Sequence, residues 1–193
     1  MAERSTRVRP SADADVPITR PPNGRLARAA PGAADVEGRA RRKRPESVLV
    51  VVASSGGEVL LLRRADDPAF WQSVTGGLEP DESPLEAARR ELREETALVS
   101  EPRSLELRAR FEIRGRWRAR YAPEVTHNVE HAFLALVDGR PAVRLAPDEH
   151  VGLRWLSVDA ALALASSPTD RAAIRRARGR IGPRPPRRSG RTA

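Results

Sequence analysis

The chain of 193 residues contains no cysteine, a single lysine beside 34 arginines, and only 4% aromatic residues. Without cysteine there are no disulfides, no thiolate catalysis and no Cys-based zinc site, so a bound metal would have to take oxygen or histidine ligands. No run of 18 apolar residues occurs, which excludes a helical membrane span. No short apolar core of a signal peptide is seen near the N-terminus either, and the protein is expected to be cytoplasmic. The preference for arginine over lysine reads as base composition of the coding DNA. With so few aromatics, most are expected in the core.

The formal charge of +9 invites a nucleic-acid reading, but its distribution opposes one. Residues 1–43 hold ten Lys+Arg against five Asp+Glu, and residues 179–193 hold five arginines and no acid, which leaves −1 for the part between. A nucleic-acid-binding protein using basic tails is therefore the weakest of three functional alternatives. Segments 1–42 and 179–193 are rich in Pro, Arg, Gly and Ala without apolar periodicity, so both are expected to be disordered tails around one domain spanning 43–178.

Within that domain, Ser47 to Ala53 (SVLVVVA) is too continuously apolar for a half-exposed strand and is expected to lie central in a sheet. Further strands are expected at Glu58–Leu62, Ser73–Thr75, Leu105–Ile113, Asn128–Val137 and Gly152–Leu156. Helices are expected at Val158–Ala165 and Asp170–Arg178. A third begins at Ser83, an N-cap followed by Pro84 at the first helical position and Glu86 completing a capping box, and runs to about Thr96. Alternation of this kind predicts an α/β fold with a mixed central sheet and helices on both faces.

Most of the chemistry concentrates in Gly76 to Leu98, GGLEPDESPLEAARRELREETAL. Leu85, Ala88, Leu92 and Thr96 form one helical stripe, Glu91 and Glu95 lie one turn apart on its flank, and Glu94 falls further round. Two carboxylates one turn apart repel unless a cation lies between them, and Mg²⁺ favours such oxygen ligands while keeping sites free for water and substrate phosphate. Arg90 can hold a carboxylate in one orientation by paired N–H bonds, or pair simply with Glu94. Gly76 and Gly77 allow a close backbone approach to the site.

In this register, Gly76, Glu82, Arg90, Glu91, Leu92, Glu94, Glu95 and Leu98 match the signature of the Nudix hydrolases, which the chain therefore resembles. By chance such a match arises at about one start point in ten million. The family's glycine is replaced by Ala97, at a helix end where positive φ is often needed. The resemblance implies a Nudix-type α/β/α sandwich and Mg²⁺-dependent (or Mn²⁺-dependent) hydrolysis of a nucleoside-diphosphate-like linkage. KRPESVLVVV, RRADDPAFWQSVTGG, RYAPEVTHNVEHAF, DEH and RWLSVDAALALASS further resemble the bacterial dihydroneopterin triphosphate diphosphatases, a branch of that family in folate biosynthesis.

That resemblance implies metal ligands at Glu91, Glu95 and Glu149, and catalytic roles for Glu94, Glu95, Glu149 and Arg90. It also implies a small-molecule triphosphate partner contacted by Lys43, Arg64, Thr75, Phe111, Glu112, Ile113, Arg114 and Ser167. A sanitising or broad-specificity nucleoside triphosphate diphosphatase is the alternative. His127 and His131 are expected to be structural, with His150, beside Glu149, the one histidine that could serve the site.

Overall fold

The computed structural model describes residues 43–113 and 115–182. Segments 1–42 and 183–193, which include most of both expected tails, lie outside the described residues, as does Arg114. The element order is β1 (Glu46–Ser54), β2 (Glu58–Arg64), β3 (Trp71–Gln72), β4 (Val74–Gly77), α1 (Pro84–Thr96), β5 (Arg103–Glu112), β6 (His127–Val137), β7 (His150–Ser157), α2 (Val158–Leu164) and α3 (Pro168–Ala177). A 3₁₀ helix, Gly115–Arg120, occupies the basic stretch that the sequence left as a connection.

The apolar run places β1 at the centre, as its composition predicts. It pairs with β2 and β4 in antiparallel fashion and with β6 in parallel, giving the path β3-β2-β1-β6-β5 with β4 on β1 and β7 on β2. Because side chains alternate across the pleat, β1 feeds two cores. Val48, Val50 and Val52 pack with Ala88 and Leu92 of α1, while Leu49, Val51 and Ala53 pack with Ala161 of α2 and Ala173 and Ile174 of α3. The result is the α/β/α layering expected of a mixed sheet. Ile181 packs against the second core, just beyond a 3₁₀ turn at Arg178–Arg180.

Helix α1 starts where its caps place it. The Ser83 hydroxyl accepts from the Glu86 N–H, and the Glu86 carboxylate accepts from the Ser83 N–H. At the other end Ala97 adopts φ 58°, the left-handed conformation in which a Cβ is strained, and its N–H closes the helix on the Arg93 carbonyl. Ala97→Gly is expected to stabilise the fold by about 0.5–1 kcal/mol, part of the relief being offset by added freedom of the unfolded chain. A thermal melt should show Tm about 2–4 °C higher; an unchanged or lower Tm would mean that Ala97 is not strained.

Candidate active site

Beyond Ala97 the chain folds back over the end of α1. The N–H groups of Arg144 and Ala146 donate to the Thr96 and Glu95 carbonyls (3.0 and 3.3 Å), satisfying acceptors that a helix C-terminus otherwise leaves open. The turn that follows bonds Glu149 N and His150 N to the Ala146 carbonyl at 3.1 and 2.9 Å, and Ala65 N to the Glu149 carbonyl at 2.8 Å. In this way a segment some fifty residues downstream is fixed against the glutamates of α1. Glu95, Glu149 and His150 each present a ligand atom, and these atoms lie within 4.8 Å of one another.

Glu95 is fully buried, and its carboxylate accepts from the Thr75 N–H at 3.3 Å and lies 2.8 Å from His150 Nε2. Burial, reinforced by Glu149, holds its carboxyl well above the usual range. Burial also pushes Glu91 up to about 7 and His150 below its ordinary value. Acids held this way ionise at a cost unless a cation meets them, and the carboxylate oxygens of Glu91, Glu95 and Glu149 fit a hard divalent ion, with His150 bonded to Glu95. The sequence placed Glu149 in this group. His150, singled out by its position beside Glu149 as the one histidine that could serve the site, joins it, although the sequence named no contact for it.

Arg90 organises the remaining acids. Its guanidinium donates to both oxygens of Glu82 (2.8 Å each), to Glu91 Oε1 (2.7 Å), to Glu94 Oε2 (3.1 Å) and to the Gly77 carbonyl (2.9 Å). Both sequence readings of Arg90 thus hold together, orienting Glu91 and pairing with Glu94. Glu82 is drawn below the usual carboxylate range by this contact. Glu94 stays exposed.

The reason for Gly76 is steric. A Cβ there would sit 1.7 Å from Glu91 Oε1, inside the carboxylate itself. Gly76→Ala must therefore push the Glu91 carboxylate aside, which a flexible side chain can do without loss of the fold. Turnover is expected to fall at least about 10-fold with Tm within a few degrees of the parent; full activity in a folded Gly76→Ala protein would show that the position of Glu91 is immaterial.

The expected substrate contacts fall into two groups. Near the cluster, Arg64 is paired with Asp66 (2.7 and 2.8 Å), reaches Gln72 Oε1 at 3.3 Å, and lies 5.9 Å from the Trp117 ring centre. Gln72 in turn donates to the Thr75 hydroxyl at 3.0 Å. Lys43 is exposed, its Nζ 3.9 Å from where a Cβ on Gly77 would stand. On the face covered by α3, Ser167 is the N-cap of that helix and accepts from Asp170 N at 2.9 Å, while Phe111 is 38% exposed on β5 opposite Asn128. Glu112 is exposed, and Ile113 is buried with its N–H on the Thr126 carbonyl at 2.9 Å, so the side chain of Ile113 belongs to the packing. His127 and His131 bond Thr126 and Glu46, in keeping with structural roles.

The NUDIX domain family model matches residues 43–177, well over half of the chain. Among curated proteins, the dihydroneopterin triphosphate diphosphatase of Escherichia coli K12 is 45% identical over 139 residues, covering 68% of this chain and 91% of that protein. The Haemophilus influenzae protein of the same name is 40% identical over 119 residues, covering 59% of this chain and 74% of its own. Among solved structures, the E. coli dihydroneopterin triphosphate pyrophosphohydrolase superposes with a TM-score of 0.64 at 39% identity, covering 69% of this chain and 94% of that one. No described helix is long and apolar enough to cross a membrane. From the matched domain, the α/β/α layering and the glutamate cluster together, the chain belongs to the Nudix hydrolase family, enzymes acting on phosphoric anhydrides.

Proposed function

We propose that this protein hydrolyses 7,8-dihydroneopterin 3′-triphosphate to the monophosphate and pyrophosphate, with Mg²⁺ at the glutamate cluster. The observation that carries the proposal is the convergence of Glu95, Glu149 and His150 within 4.8 Å beside Glu91, at the end of a helix whose other face is core. Its substrate class is supported by relatives named for that reaction, of whose length the chain covers up to 91%.

In this reading Glu91, Glu95 and Glu149 hold the cation, and Arg90 fixes Glu91 so that its carboxylate need not reorganise during the reaction. When bound, Mg²⁺ polarises phosphoryl oxygens and neutralises the charge of the leaving pyrophosphate. His150 keeps Glu95 in one orientation through its 2.8 Å contact. Water adds to phosphorus and the α–β bridge opens, with electrons passing to the pyrophosphate oxygen and the water's proton to the partly exposed Glu149 side or to Glu94. Lys43 and Arg64 neutralise the remaining phosphates, Thr75 donates to the chain between them, Phe111, Glu112 and the backbone of Ile113 line the pterin end, and Ser167 borders it.

The test is product analysis by ³¹P NMR in Mg²⁺ buffer. Pyrophosphate and a monophosphate in equal amounts are expected, with no turnover in excess EDTA; inorganic phosphate and a diphosphate, or activity that survives EDTA, would overturn the assignment.

A further inference from the structure

One polar cluster lies outside the machinery above. Glu130, in the middle of β6, is 7% exposed and points to the α3 side of the sheet. Residues paired across a sheet share a face, so the row through Glu130 can be read directly. Ser47 stands opposite it on β1, Gly77 beyond Ser47 on β4, and Ala109 on its other flank on β5. All three neighbours are small. The buried carboxylate is thus flanked by a trough of small side chains, in a face that elsewhere carries Leu49, Ala132 and Leu134.

The trough has a second polar group in its floor. Asn128, 3% exposed, donates from Nδ2 to the Ser47 hydroxyl at 2.7 Å, and its Oδ1 is buried with no hydrogen-bond partner among the described residues. A buried carbonyl oxygen without a donor is costly, and such groups call for an explanation. The Ser47 and Thr169 hydroxyls bond the Glu130 carboxylate. Phe111, 38% exposed, is paired with Asn128 across the sheet, and Ser167 caps α3 two residues before Thr169. At the opposite end Lys43 approaches Gly77, and Thr75, two residues along β4, leads to Glu95.

We infer that Glu130 and Asn128 form the acceptor pair that reads the 2-amino-4-oxo edge of the substrate's heterocycle, with Phe111 against the ring. This rests on the proposed pterin substrate and names its specificity-determining contacts. The chemistry is one of matching donors. That edge carries a ring N–H beside an exocyclic amino group, two parallel donors that suit the two oxygens of one carboxylate, and the second amino hydrogen suits the free Asn128 Oδ1. An adenine or thymine edge offers no such pair. A site built from buried acceptors rejects a ligand lacking the donors because the acceptors are then left dry and unpaired. The trough ends at Gly77 on β4, and the backbone edge of that strand meets the α1 cluster through Thr75 N–H on Glu95 and the Gly77 carbonyl on Arg90, so a triphosphate can pass over this edge from the trough to the cation cluster.

The test uses the full-length protein with Mg²⁺ and two measurements. Glu130→Gln, which replaces an acceptor by a donor at constant size, is expected to raise KM for dihydroneopterin triphosphate at least about 30-fold. Its kcat should stay within about threefold and its kcat/KM for dATP within about twofold, because neither depends on the edge contacts. Independently of any variant, the parent enzyme should show kcat/KM for dGTP at least about 10-fold above that for dITP, which lacks only the 2-amino group. A folded Glu130→Gln protein with KM within twofold of the parent, or equal use of dGTP and dITP, overturns the inference while leaving the proposed activity standing. A parent enzyme inactive on dihydroneopterin triphosphate overturns both, and is read from the parent alone.

Discussion

Glu95→Gln is expected to lower kcat by at least about 10³-fold while the protein remains folded. The side chain is fully buried, bonded to Thr75 N and His150, and within the 4.8 Å cluster with Glu149. Glutamine keeps the shape and the contact with the Thr75 N–H but removes the charge that a divalent cation needs. The apo-protein should be no less stable than the parent, since an acid that is costly to ionise has been replaced by a neutral amide. Two readouts separate a lost ligand from a lost fold: Mg²⁺ should raise the Tm of the parent but not of the variant, and circular dichroism should be unchanged. Near-parent turnover in a folded Glu95→Gln protein would remove the metal assignment.

The same burial has a pH consequence. Glu91 and Glu130 are each pushed up to about 7, and burial holds Glu95 well above the usual carboxylate range. A carboxyl whose pKa is higher folded than unfolded binds more protons in the native state, so it favours folding at low pH and that advantage is lost as pH rises from about 4.5 towards 7. In chelator, unfolding free energy from urea titrations should therefore fall across that window. Glu95→Gln should flatten the fall, and saturating Mg²⁺ should reduce it in the parent by favouring the ionised cluster.

The second large effect is expected at Arg90. One guanidinium holds Glu82, Glu91, Glu94 and the Gly77 carbonyl with distances of 2.7–3.1 Å. Arg90→Met removes all of these contacts and leaves three acids without their shared cation, so kcat should drop about 10–100-fold. The Mg²⁺ concentration giving half-maximal rate should rise about 10-fold, an effect that a residue important only for packing would not produce. Arg90→Lys should recover little, because an ammonium cannot bridge two carboxylates with paired, planar bonds. Full recovery by lysine would show that charge alone matters at this position.

What the sequence made legible is local in origin. The start of α1 could be placed to the residue because Ser83, Pro84 and Glu86 act within a single turn, and β1 could be placed centrally because an unbroken β-branched run has no exposed face. Ala97 was recognised as a positive-φ position from the signature alone. Glu149 was reachable through resemblance, yet its place beside Glu95 depends on the Arg144–His150 segment capping the end of α1, a long-range contact with no periodicity of its own. The contact of His150 with Glu95 was not foreseen, and Glu130 was missed altogether, for a related reason. Each is a polar residue in a strand, where alternation normally turns such groups to solvent, and only the α3 layer or the Glu95 carboxylate makes them interior. The 3₁₀ helix at Gly115–Arg120 carries no capping or apolar pattern that would announce it.

The most direct measurement is a comparison of kcat/KM for dihydroneopterin triphosphate and for dATP, dCTP, dGTP and dTTP, made on one preparation at one Mg²⁺ concentration. A preference for the pterin of at least about 100-fold over every dNTP is expected, dGTP standing highest among the four. Equal or greater efficiency on any common dNTP would contradict the pterin assignment and identify the protein as a general nucleoside triphosphate diphosphatase built on the same glutamate helix.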